Sequence, residues 1–319
     1  MRVLITGAAG FAGPHVIDAV RRTCGDISIL ATSKSATYLR DIGRVEALDV
    51  ADRRAVNAAV EHCRPTHIIH LAGIAAPAEA ACSPDAAWQV HVQGTLNLAH
   101  ALLEKAPDCC LVNVGSGLVY GDSFGAGLPL DETALLAPID EYSATKAAAD
   151  LALGALAHQG LRCVRVRPFN HTGLGQTSAF VIPAFATQIA KIEAGLMEPI
   201  IRVGNLEAER DFLDVRDVAA AYALVVAKSS TVASGTILNI ASGKARRVGD
   251  LLDELLSLSQ AEVTIEQDPA RMRASDFPRI VGSASRARHL LGWQPKHTIH
   301  QILADVLADC RRRVARGLQ

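Results

Sequence analysis

The stretch VLITGAAGFAG, residues 3–13, decides the fold. An apolar run at 3–6 is followed at once by three glycines at the spacing GxxGxxG, and a helical pattern then extends to about residue 23. In such a strand–turn–helix unit, Gly7 makes the tight turn, Gly10 lets a pyrophosphate approach the backbone, and Gly13 lets the helix pack on the strand. The free N–H groups at the helix start favour phosphates, so the stretch predicts a dinucleotide site rather than a simple turn. The predicted cofactor contacts of this loop are Gly7, Gly10, Phe11, Ala12 and Gly13.

Strand-like and helix-like stretches alternate through the first half of the chain. Continuous apolar strands separated by helices are typical of a parallel sheet that is covered on both faces. With right-handed crossovers, this pattern predicts an α/β fold with a doubly wound parallel sheet of the Rossmann type. The predicted strands lie at 3–6, 28–32, 45–50, 67–72, 109–116 and 163–169, with helical patterns between them, for example at 84–105 and 141–158.

The regular alternation of predicted strands and helices changes after about residue 170. We expect a dinucleotide-binding domain at 1–168 and a smaller C-terminal α/β lobe at 169–319 that holds the substrate, with about 215–242 returning to the main sheet. The predicted helices lie at 179–196, 215–228, 247–258 and from 298, and the predicted strands at 199–204, 236–240 and 262–267.

Composition excludes several classes of partner. The 319 residues carry a net charge of −1, which gives no electrostatic footprint for nucleic acid or an anionic membrane. We expect no signal peptide and no membrane span. Seven scattered cysteines without a CxxC spacing indicate reduced thiols and a cytoplasmic protein. We expect no metal, because His67 and His70 point to opposite faces of a strand and His297 and His300 lack a third ligand.

The residues that follow the second strand indicate which cofactor binds. An NAD site usually has an acidic residue here, whereas this chain has Thr32, Ser33 and Lys34. Hydroxyls and an ammonium suit a 2′-phosphate and favour NADP(H), with NAD(H) as the alternative, although Lys34 also fits a solvated loop. Asp49 is placed to meet the adenine, or to serve as a turn residue. The remaining predicted cofactor contacts are Val50, Leu71, Ala72 and Gly73.

Three polar residues are expected to converge beside the nicotinamide. Tyr142 and Lys146 lie four residues apart, on one face of a predicted helix, and Ser116 follows the fifth strand at the ligand-binding edge of the sheet. A neighbouring ammonium, together with the positive charge of the nicotinamide ring in its oxidised form, is expected to lower the pKa of the phenol. Tyr142 can then exchange a proton with a substrate oxygen while a hydride moves at the adjacent carbon, and Ser116 holds that oxygen.

Three segments together resemble the extended short-chain dehydrogenase/reductase superfamily. They are TGAAGFAG (6–13), SGLVYG (116–121) and YSATK (142–146). The superfamily's YxxxK pair maps onto Tyr142 and Lys146, and its Ser/Thr onto Ser116. RPFNHTGLGQ (167–176), VGNLEAERDFLDVRDVAAAY (203–222) and RMRASDFPRIVGS (271–283) resemble nucleotide-sugar-modifying members, above all the GDP-4-keto-6-deoxy-D-mannose reductases and the GDP-mannose 4,6-dehydratases.

The resemblance implies substrate contacts and an assembly. Arg210 and Arg273 match diphosphate-binding arginines, for which bidentate guanidinium groups are suited. Asn170 matches a sugar- or phosphate-contacting asparagine, and Asn205 is a further candidate. An ordinary surface salt bridge is the alternative for Arg210. The resemblance also implies a homodimer, in which the helices at 84–105 and 141–158 form a four-helix bundle with their copies.

The chain departs from the superfamily's patterns at several positions. Gly117 and Leu118 stand where the dehydratases carry an acidic pair, and neither residue can transfer a proton, so 4,6-dehydration is not expected. His91 stands where the superfamily usually has asparagine, and is either a histidine with one hydrogen bond or a member of a proton relay. Ala274 replaces a usual proline.

The leading hypothesis is NADPH-dependent reduction of the 4-keto group of a GDP-linked 6-deoxyhexulose, to GDP-D-rhamnose or its C4 epimer GDP-6-deoxy-D-talose. A nucleotide-sugar 4-epimerase with tightly held NAD uses the same three residues and is the first alternative. A non-catalytic dinucleotide sensor is the second, although such proteins typically lose the Tyr–Lys pair that this chain retains.

Overall fold

The computed structural model describes residues 1–272 and 277–318. The strands are β1 (Arg2–Thr6), β2 (Ser28–Ser33), β3 (Thr37–Leu39), β4 (Gly43–Ala47), β5 (His67–His70), β6 (Cys110–Val114), β7 (Cys163–Pro168), β8 (Asn170–Thr172), β9 (Ile200–Val203), β10 (Glu209–Asp214), β11 (Thr236–Ile240), β12 (Ala245–Arg247), β13 (Thr264–Gln267) and β14 (Arg279–Ile280). The helices are α1 (Ala12–Cys24), α2 (Arg53–Cys63), α3 (Pro77–Cys82), α4 (Pro84–Ala87), α5 (Thr95–Lys105), α6 (Glu141–His158), α7 (Val181–Glu193), α8 (Val215–Ala227), α9 (Val248–Ser257), α10 (Ser285–Leu291) and α11 (Ile299–Ala315).

The central sheet confirms the predicted fold class. Within the described ranges it has eight strands in the order β11-β7-β6-β5-β1-β2-β4-β3. Neighbouring strands are parallel, except that β3 runs antiparallel to β4. Successive strands after β1 are added on one side of it, up to β4 and β3, whereas β5 lies on its other side and β6 and β7 are added beyond β5. The order therefore reverses between these two strands, and ligands bind at such a reversal, beyond the carboxyl ends of the strands.

Successive side chains of each strand point to opposite faces of the sheet, and each face carries its own hydrophobic core. In β1, Val3 and Ile5 contribute to one buried cluster and Leu4 to the other. α1 and α8 pack together on the first face, and α2 packs against α5 on the second. Burial on both faces explains why these strands read as continuous apolar runs in the sequence.

The smaller lobe has its own core. β12, β10 and β14 form a sheet that β8 extends through its pairing with β10, and β13 pairs with β9. α7, α9 and α11 pack around a third apolar cluster that includes Phe185, Leu252 and Leu307. β11 lies at the edge of the main sheet next to β7, and α8 lies on α1. The division into domains at residue 168 stays a prediction.

The helical segment at 84–105 changes its geometry in the middle. α4 continues into a π-helical segment, Trp88–Gly94, before α5 begins. Such wide turns appear mostly at functional sites. Here the turn places His91 toward Ile74 and Thr145, and a Cβ on Gly94 would lie 2.6 Å from Cγ2 of Val50. The helical pattern predicted at 84–105 is therefore confirmed, with a wider turn in its middle that the sequence did not predict.

No helix in the described part of the chain is both long and apolar enough to cross a membrane. All seven cysteines are free.

Candidate active site

The glycine loop forms a cradle that only small residues fit. Gly7 has φ +69°, and a Cβ there would lie 2.6 Å from the backbone N of Ala72. A Cβ on Gly13 would lie 2.0 Å from the carbonyl oxygen of Ala8. α1 then begins with no side-chain cap and no acidic residue in its first turn. Its free N–H groups and the positive end of its dipole fit the diphosphate of a dinucleotide.

One cleft joins this loop to the carboxyl ends of the central strands and to the smaller lobe. It has a volume of about 1140 Å³. This is large enough for a dinucleotide and a second ligand, since ordinary ligand pockets have roughly 300–1,000 Å³. The cleft brings together nearly all the residues selected from the sequence: Gly7, Gly10, Phe11, Ala12, Gly13, Lys34, Asp49, Val50, Leu71, Ala72, Gly73, Ser116, Tyr142, Lys146, Asn170, Asn205 and Arg210.

The two hydroxyls at the end of β2, those of Thr32 and Ser33, do not line the cleft. Ser33 Oγ donates to the carbonyl of Ser35 at 2.6 Å, and Thr32 Oγ1 donates to the carbonyl of Ile5 at 3.2 Å. Thr32 is buried beneath the sheet edge, so its predicted part in holding a 2′-phosphate was wrong. Lys34 is 80% exposed, and its ammonium lies 3.9 Å from Asp49. It therefore presents an exposed positive charge at this end of the cleft.

Ser116, Tyr142 and Lys146 converge at the opposite end. Ser116 follows β6, and its Oγ accepts from the backbone N of Leu118 at 3.1 Å. α6 begins after Asp140, whose side chain accepts from the N–H of Ser143, and this cap fixes the turn that carries Tyr142. The ammonium of Lys146 donates to the carbonyl of Val114 at 3.2 Å. The three side chains thus border the ends of β5 and β6.

Burial dominates the electrostatics of this group. It raises the pKa of Tyr142, while the nearby Ser116 hydroxyl opposes the shift. It also lowers the pKa of Lys146 to about 8. In the protein without its ligands, desolvation of the phenolate therefore decides the direction of the shift, and the lowering of this pKa by the ammonium and an oxidised nicotinamide together stays a prediction for the cofactor complex. An amine with a pKa near 8 can still exchange protons close to neutral pH.

His91 is a buried neutral histidine with a partner for each ring nitrogen. Thr145 Oγ1 donates its own proton to the carbonyl of Tyr142. Nδ1 of His91 must therefore be the donor in the 2.8 Å contact with Thr145, and Nε2 then accepts from the N–H of Ile74 at 2.9 Å. Burial, then Lys146, lower the pKa of His91 to about 3. The ring meets Tyr142 edge to face at 5.6 Å, so His91 packs against α6 and makes more than the single bond expected.

The substrate candidates lie where the smaller lobe closes the cleft. Arg210, on β10, is buried, and its guanidinium donates to the carbonyls of Glu209 and Phe277 at 2.8 Å. Arg210 is therefore not an exposed side chain, and its part in binding a diphosphate stays a prediction. Asn205 Oδ1 accepts from the N–H of Glu207 at 2.9 Å, so this side chain also shapes its own loop. Arg273 lies outside the described residues.

Several residues of the cleft were missed in the sequence. Arg202 and Arg271 border its outer part. Thr172, Gln176 and Tyr222 border it as well and are buried. They occur in the segments that resemble nucleotide-sugar enzymes, but a threonine, a glutamine and a tyrosine carry no signal of their own. In the described ranges, no group of three or more His, Cys, Asp or Glu side chains is placed to hold a metal ion.

Comparisons with known proteins agree with this geometry. The model of the GDP-mannose 4,6 dehydratase family matches residues 4–306. The chain is 38% identical over 251 residues to the GDP-6-deoxy-D-mannose reductase of Pseudomonas aeruginosa, covering 78% of this chain and 82% of that protein. It is 25% identical over 306 residues to the GDP-6-deoxy-D-talose 4-dehydrogenase of Aggregatibacter actinomycetemcomitans, covering 92% of each. The structure of RMD from Pseudomonas aeruginosa complexed with NADPH matches with a TM-score of 0.85 and 31% identity, over 98% of this chain and 99% of that one.

The fold and the site define an extended short-chain dehydrogenase/reductase, a class of NAD(P)-dependent oxidoreductases. Within this class, the chain belongs to the GDP-mannose 4,6-dehydratase family. It is therefore an enzyme, and the alternative of a non-catalytic dinucleotide sensor loses its support. The catalytic and binding roles of individual residues stay predictions.

Proposed function

We propose that the protein reduces the 4-keto group of GDP-4-keto-6-deoxy-D-mannose with NADPH. The product is GDP-D-rhamnose or its C4 epimer, GDP-6-deoxy-D-talose. The observation that carries the proposal is the convergence of Ser116, Tyr142 and Lys146 next to a position that cannot hold an acid. A Cβ on Gly117 would lie 2.9 Å from two carbons of the Phe169 ring. A dehydratase needs a proton-transferring side chain there, whereas a reductase does not.

Each residue of the triad has a distinct task. The cofactor, when bound, supplies a hydride to C4 of the sugar. Tyr142 donates its phenolic proton to O4, so that the carbonyl becomes a hydroxyl, and Ser116 holds O4 during the transfer. Lys146 stabilises the resulting phenolate and returns a proton to it. The sugar thus gains one hydride and one proton, and solvent returns the proton that Lys146 has given up.

The cofactor is NADP(H), with NAD(H) as the alternative. The chain has no acidic residue directly after β2, and Lys34 brings a positive charge to that end of the cleft. A relative's structure is described as complexed with NADPH. A 2′-phosphate pairs with an ammonium, whereas an NAD-preferring site holds the free ribose hydroxyls with a carboxylate.

The GDP end of the substrate is assigned to the smaller lobe. Arg210 is held rigid on β10 by two carbonyls, and Arg202 and Arg271 border the same part of the cleft. Guanidinium groups pair well with diphosphate oxygens. Asn170, at the start of β8, is placed to contact the sugar or its phosphate.

We also propose a homodimer that forms through α5, α6 and the segments before α5. α6 exposes 60% of Leu151 in its middle, and Trp88 is 41% exposed, with its indole donating to Glu141. Exposed large apolar side chains on neighbouring helices favour burial against a second copy. Light scattering should give a dimer mass for wild type and a monomer mass for Leu151→Glu. A wild-type monomer would reject this assembly.

The activity is tested by NADPH oxidation, followed by absorbance, with GDP-4-keto-6-deoxy-D-mannose. We expect turnover in wild type and a loss of roughly 100-fold or more in Tyr142→Phe, the scale of general acid catalysis. Calorimetry should show that NADPH still binds the variant, which separates chemistry from cofactor loss. NMR of the product assigns C4. If wild type leaves NADPH unoxidised, the proposal fails, and retained NAD with interconversion of C4 epimers would establish the epimerase instead.

A further inference from the structure

One buried arginine joins the two segments that carry the proposed triad. Ser116 precedes the 3₁₀-helical segment Gly117–Ala126, and Tyr120 lies in that segment. The hydroxyl of Tyr120 accepts from Nη1 of Arg167, on β7, at 3.0 Å. On its other side, Arg167 donates from Nε and Nη2 to the carboxylate of Asp150, on α6, at 3.0 and 2.8 Å. α6 and the segment after Ser116 are therefore fixed to the same guanidinium group.

Both connections from this arginine to the triad are short. Tyr120 follows Ser116 by four residues, is fully buried, and stacks on Phe169 with 6.5 Å between ring centroids. Asp150 follows Tyr142 by eight residues on the same helix, α6. This distance is about two helical turns, in which every residue is fixed by backbone hydrogen bonds. The positions of Tyr120 and Asp150 therefore determine those of Ser116 and Tyr142.

The network around this arginine has a single arrangement, because its polar groups are engaged. Each of the three guanidinium nitrogens of Arg167 donates, and the side chain is 3% exposed. Arginine only donates, so the Tyr120 hydroxyl gives its one proton to Oδ1 of Asn239 at 2.7 Å. Nδ2 of Asn239, a buried residue, donates in turn to the carbonyl of Leu130 at 3.0 Å. A buried network that is satisfied in this way makes the structure around it rigid.

The three residues of this network act from outside the cleft. Tyr120, Arg167 and Asp150 do not border it, so a ligand in the cleft does not contact them. A buried ion pair is in itself weak evidence for stability, because apolar side chains of similar volume often serve the fold as well. Catalysis, in contrast, depends on how Ser116 and Tyr142 are placed around one substrate oxygen. A misplacement of about 1 Å can lower the rate roughly 100-fold.

We propose that an arginine bridge, defined as Arg167 with Tyr120 and Asp150 at its two sides, positions the triad for catalysis. Its task is to fix the hydroxyl of Ser116 relative to that of Tyr142, an inference that rests on the triad of the proposed function. Without the bridge, the two groups that meet the substrate oxygen are no longer held at one separation. The three residues of the bridge are therefore positioning residues, and their loss should affect turnover more than ligand binding.

Tyr120→Phe tests the bridge, because it keeps the ring and removes only the hydroxyl that binds Arg167. In the NADPH oxidation assay with GDP-4-keto-6-deoxy-D-mannose, we expect kcat to fall roughly 10- to 100-fold, the scale of a displacement of up to about 1 Å. KM and the calorimetric Kd of NADPH should stay close to those of wild type. A KM or Kd that rises while kcat is unchanged would overturn the proposal, since the hydroxyl would then serve binding.

Thr66→Val is the matched control for a hydroxyl that serves the fold alone. Thr66 Oγ1 donates to the carbonyl of Arg2 at 2.9 Å and accepts from the N–H of the same residue at 3.0 Å, so it ties β1 to β5 at the edge of the sheet opposite the cleft. Both variants should melt lower than wild type, because each removes a hydroxyl that donates and accepts. At a temperature where both are folded, only Tyr120→Phe should lose kcat. Equal values of kcat would show that the Tyr120 hydroxyl is structural, contrary to the proposal.

Arg167→Lys tests whether the effect passes through the guanidinium group. An ammonium keeps the charge beside Asp150 but lacks the planar fork that reaches two partners at once. Tyr120→Phe should therefore lower kcat much less in the Arg167→Lys background than in wild type, because the effects of residues in one network do not add independently. If the two losses of kcat multiply in the double variant, Tyr120 and Arg167 act separately and the bridge does not position the triad.

The pKa of Tyr142 supplies a measurement that needs no sugar substrate. Burial raises this pKa, and the hydrogen bond with the Ser116 hydroxyl lowers it. If the bridge holds Ser116 in place, Tyr120→Phe should raise the pKa of Tyr142, whereas Thr66→Val should not. The chain has only four tyrosines, so carbon-13 NMR of protein labelled at the tyrosine Cζ can follow Tyr142 in a pH titration of the NADP⁺ complex.

This titration separates the bridge from the proposed function. An equal pKa of Tyr142 in Tyr120→Phe and wild type would overturn the positioning role even if the enzyme reduces the keto sugar. An absence of NADPH oxidation in wild type would instead refute the proposed function, and a raised pKa in Tyr120→Phe would still support the bridge.

Discussion

Asp150 is one buried carboxylate that holds two arginines inside the protein. It lies on α6, one turn beyond Lys146, and is 1% exposed. Arg167 donates to both of its oxygens, at 3.0 and 2.8 Å, and Arg165 donates to Oδ1 at 3.0 Å. These bonds tie α6 to β7. Replacement by asparagine keeps the shape of the side chain and removes its charge.

The cost of Asp150→Asn can be worked from this geometry. The side chain of Arg167 is 3% exposed and that of Arg165 is 13% exposed, so water can do little to replace the lost carboxylate. Removing one partner of a buried ion pair typically costs about 3–5 kcal/mol, because an unpaired charge remains buried. Arg167 keeps its bond to Tyr120 and Arg165 its bond to the carbonyl of Gly235, so we expect the lower end, about 3 kcal/mol.

Urea unfolding at 25 °C measures this loss of stability. The midpoint urea concentration should fall, while the dependence of the unfolding free energy on urea concentration should stay the same. Asp305→Asn is the control, because Asp305 is 44% exposed and pairs with Arg216, which also binds Asp214. An exposed pair of this kind contributes below about 1 kcal/mol. If Asp150→Asn lies within about 1 kcal/mol of wild type, the carboxylate is not the element that neutralises the two arginines, and the reasoning fails.

Three further perturbations test the cleft. Gly117→Ala should destabilise the protein by about 1–3 kcal/mol in urea unfolding, because the added Cβ meets the Phe169 ring. Gly125→Ala is the control and should not destabilise the protein, because no atom lies within 4 Å of a Cβ there. Equal effects of the two substitutions would contradict the steric argument. Burial lowers the pKa of Lys146 to about 8. Between this value and the higher pKa of the amine in the unfolded chain, the unfolded state binds more protons than the folded state. The free energy of unfolding should therefore rise with pH across that window in wild type, and rise less in Lys146→Met. Parallel slopes would show that the amine is not desolvated. Lys34→Ala should weaken NADP⁺ binding in calorimetry roughly two- to fivefold and leave NAD⁺ binding unchanged; an equal loss for both would place Lys34 away from the 2′-phosphate.

The fold was largely readable from the sequence because its signals are local. A buried parallel strand appears as a short apolar run, and a strand followed by glycines and a helix defines the first unit. β3, with three residues and an antiparallel pairing, was missed because so short an edge strand leaves no pattern. The π-helical segment Trp88–Gly94 was missed for a different reason, since it depends on partners such as Ile74 and Thr145 that are distant in sequence.

The candidate site was only partly readable. The glycine loop and the YxxxK pair are visible because their spacing in sequence equals their spacing in space. The orientation of a hydroxyl is not visible in this way. Thr32 lies beside Ser33 and Lys34 in sequence, yet its hydroxyl bonds to the carbonyl of Ile5 beneath the sheet. Tyr222 was overlooked because a tyrosine on an apolar helix is normally part of a core.

The features that weaken the ligand-free protein gather in one place. Burial lowers the pKa of Lys146, and Tyr222 and Gln176 hold polar atoms without a protein partner in the described part of the chain. The hydrophobic clusters on the two faces of the main sheet and in the smaller lobe consist of buried apolar side chains, with Tyr222 at the edge of one of them that borders the cleft. β8 and α8 both carry residues that border the cleft, Thr172 and Tyr222. Cofactor binding should therefore stabilise the protein most in the segments around β8 and α8, and hydrogen exchange with and without NADP⁺ should show the largest protection there. Protection confined to the glycine loop would contradict this account.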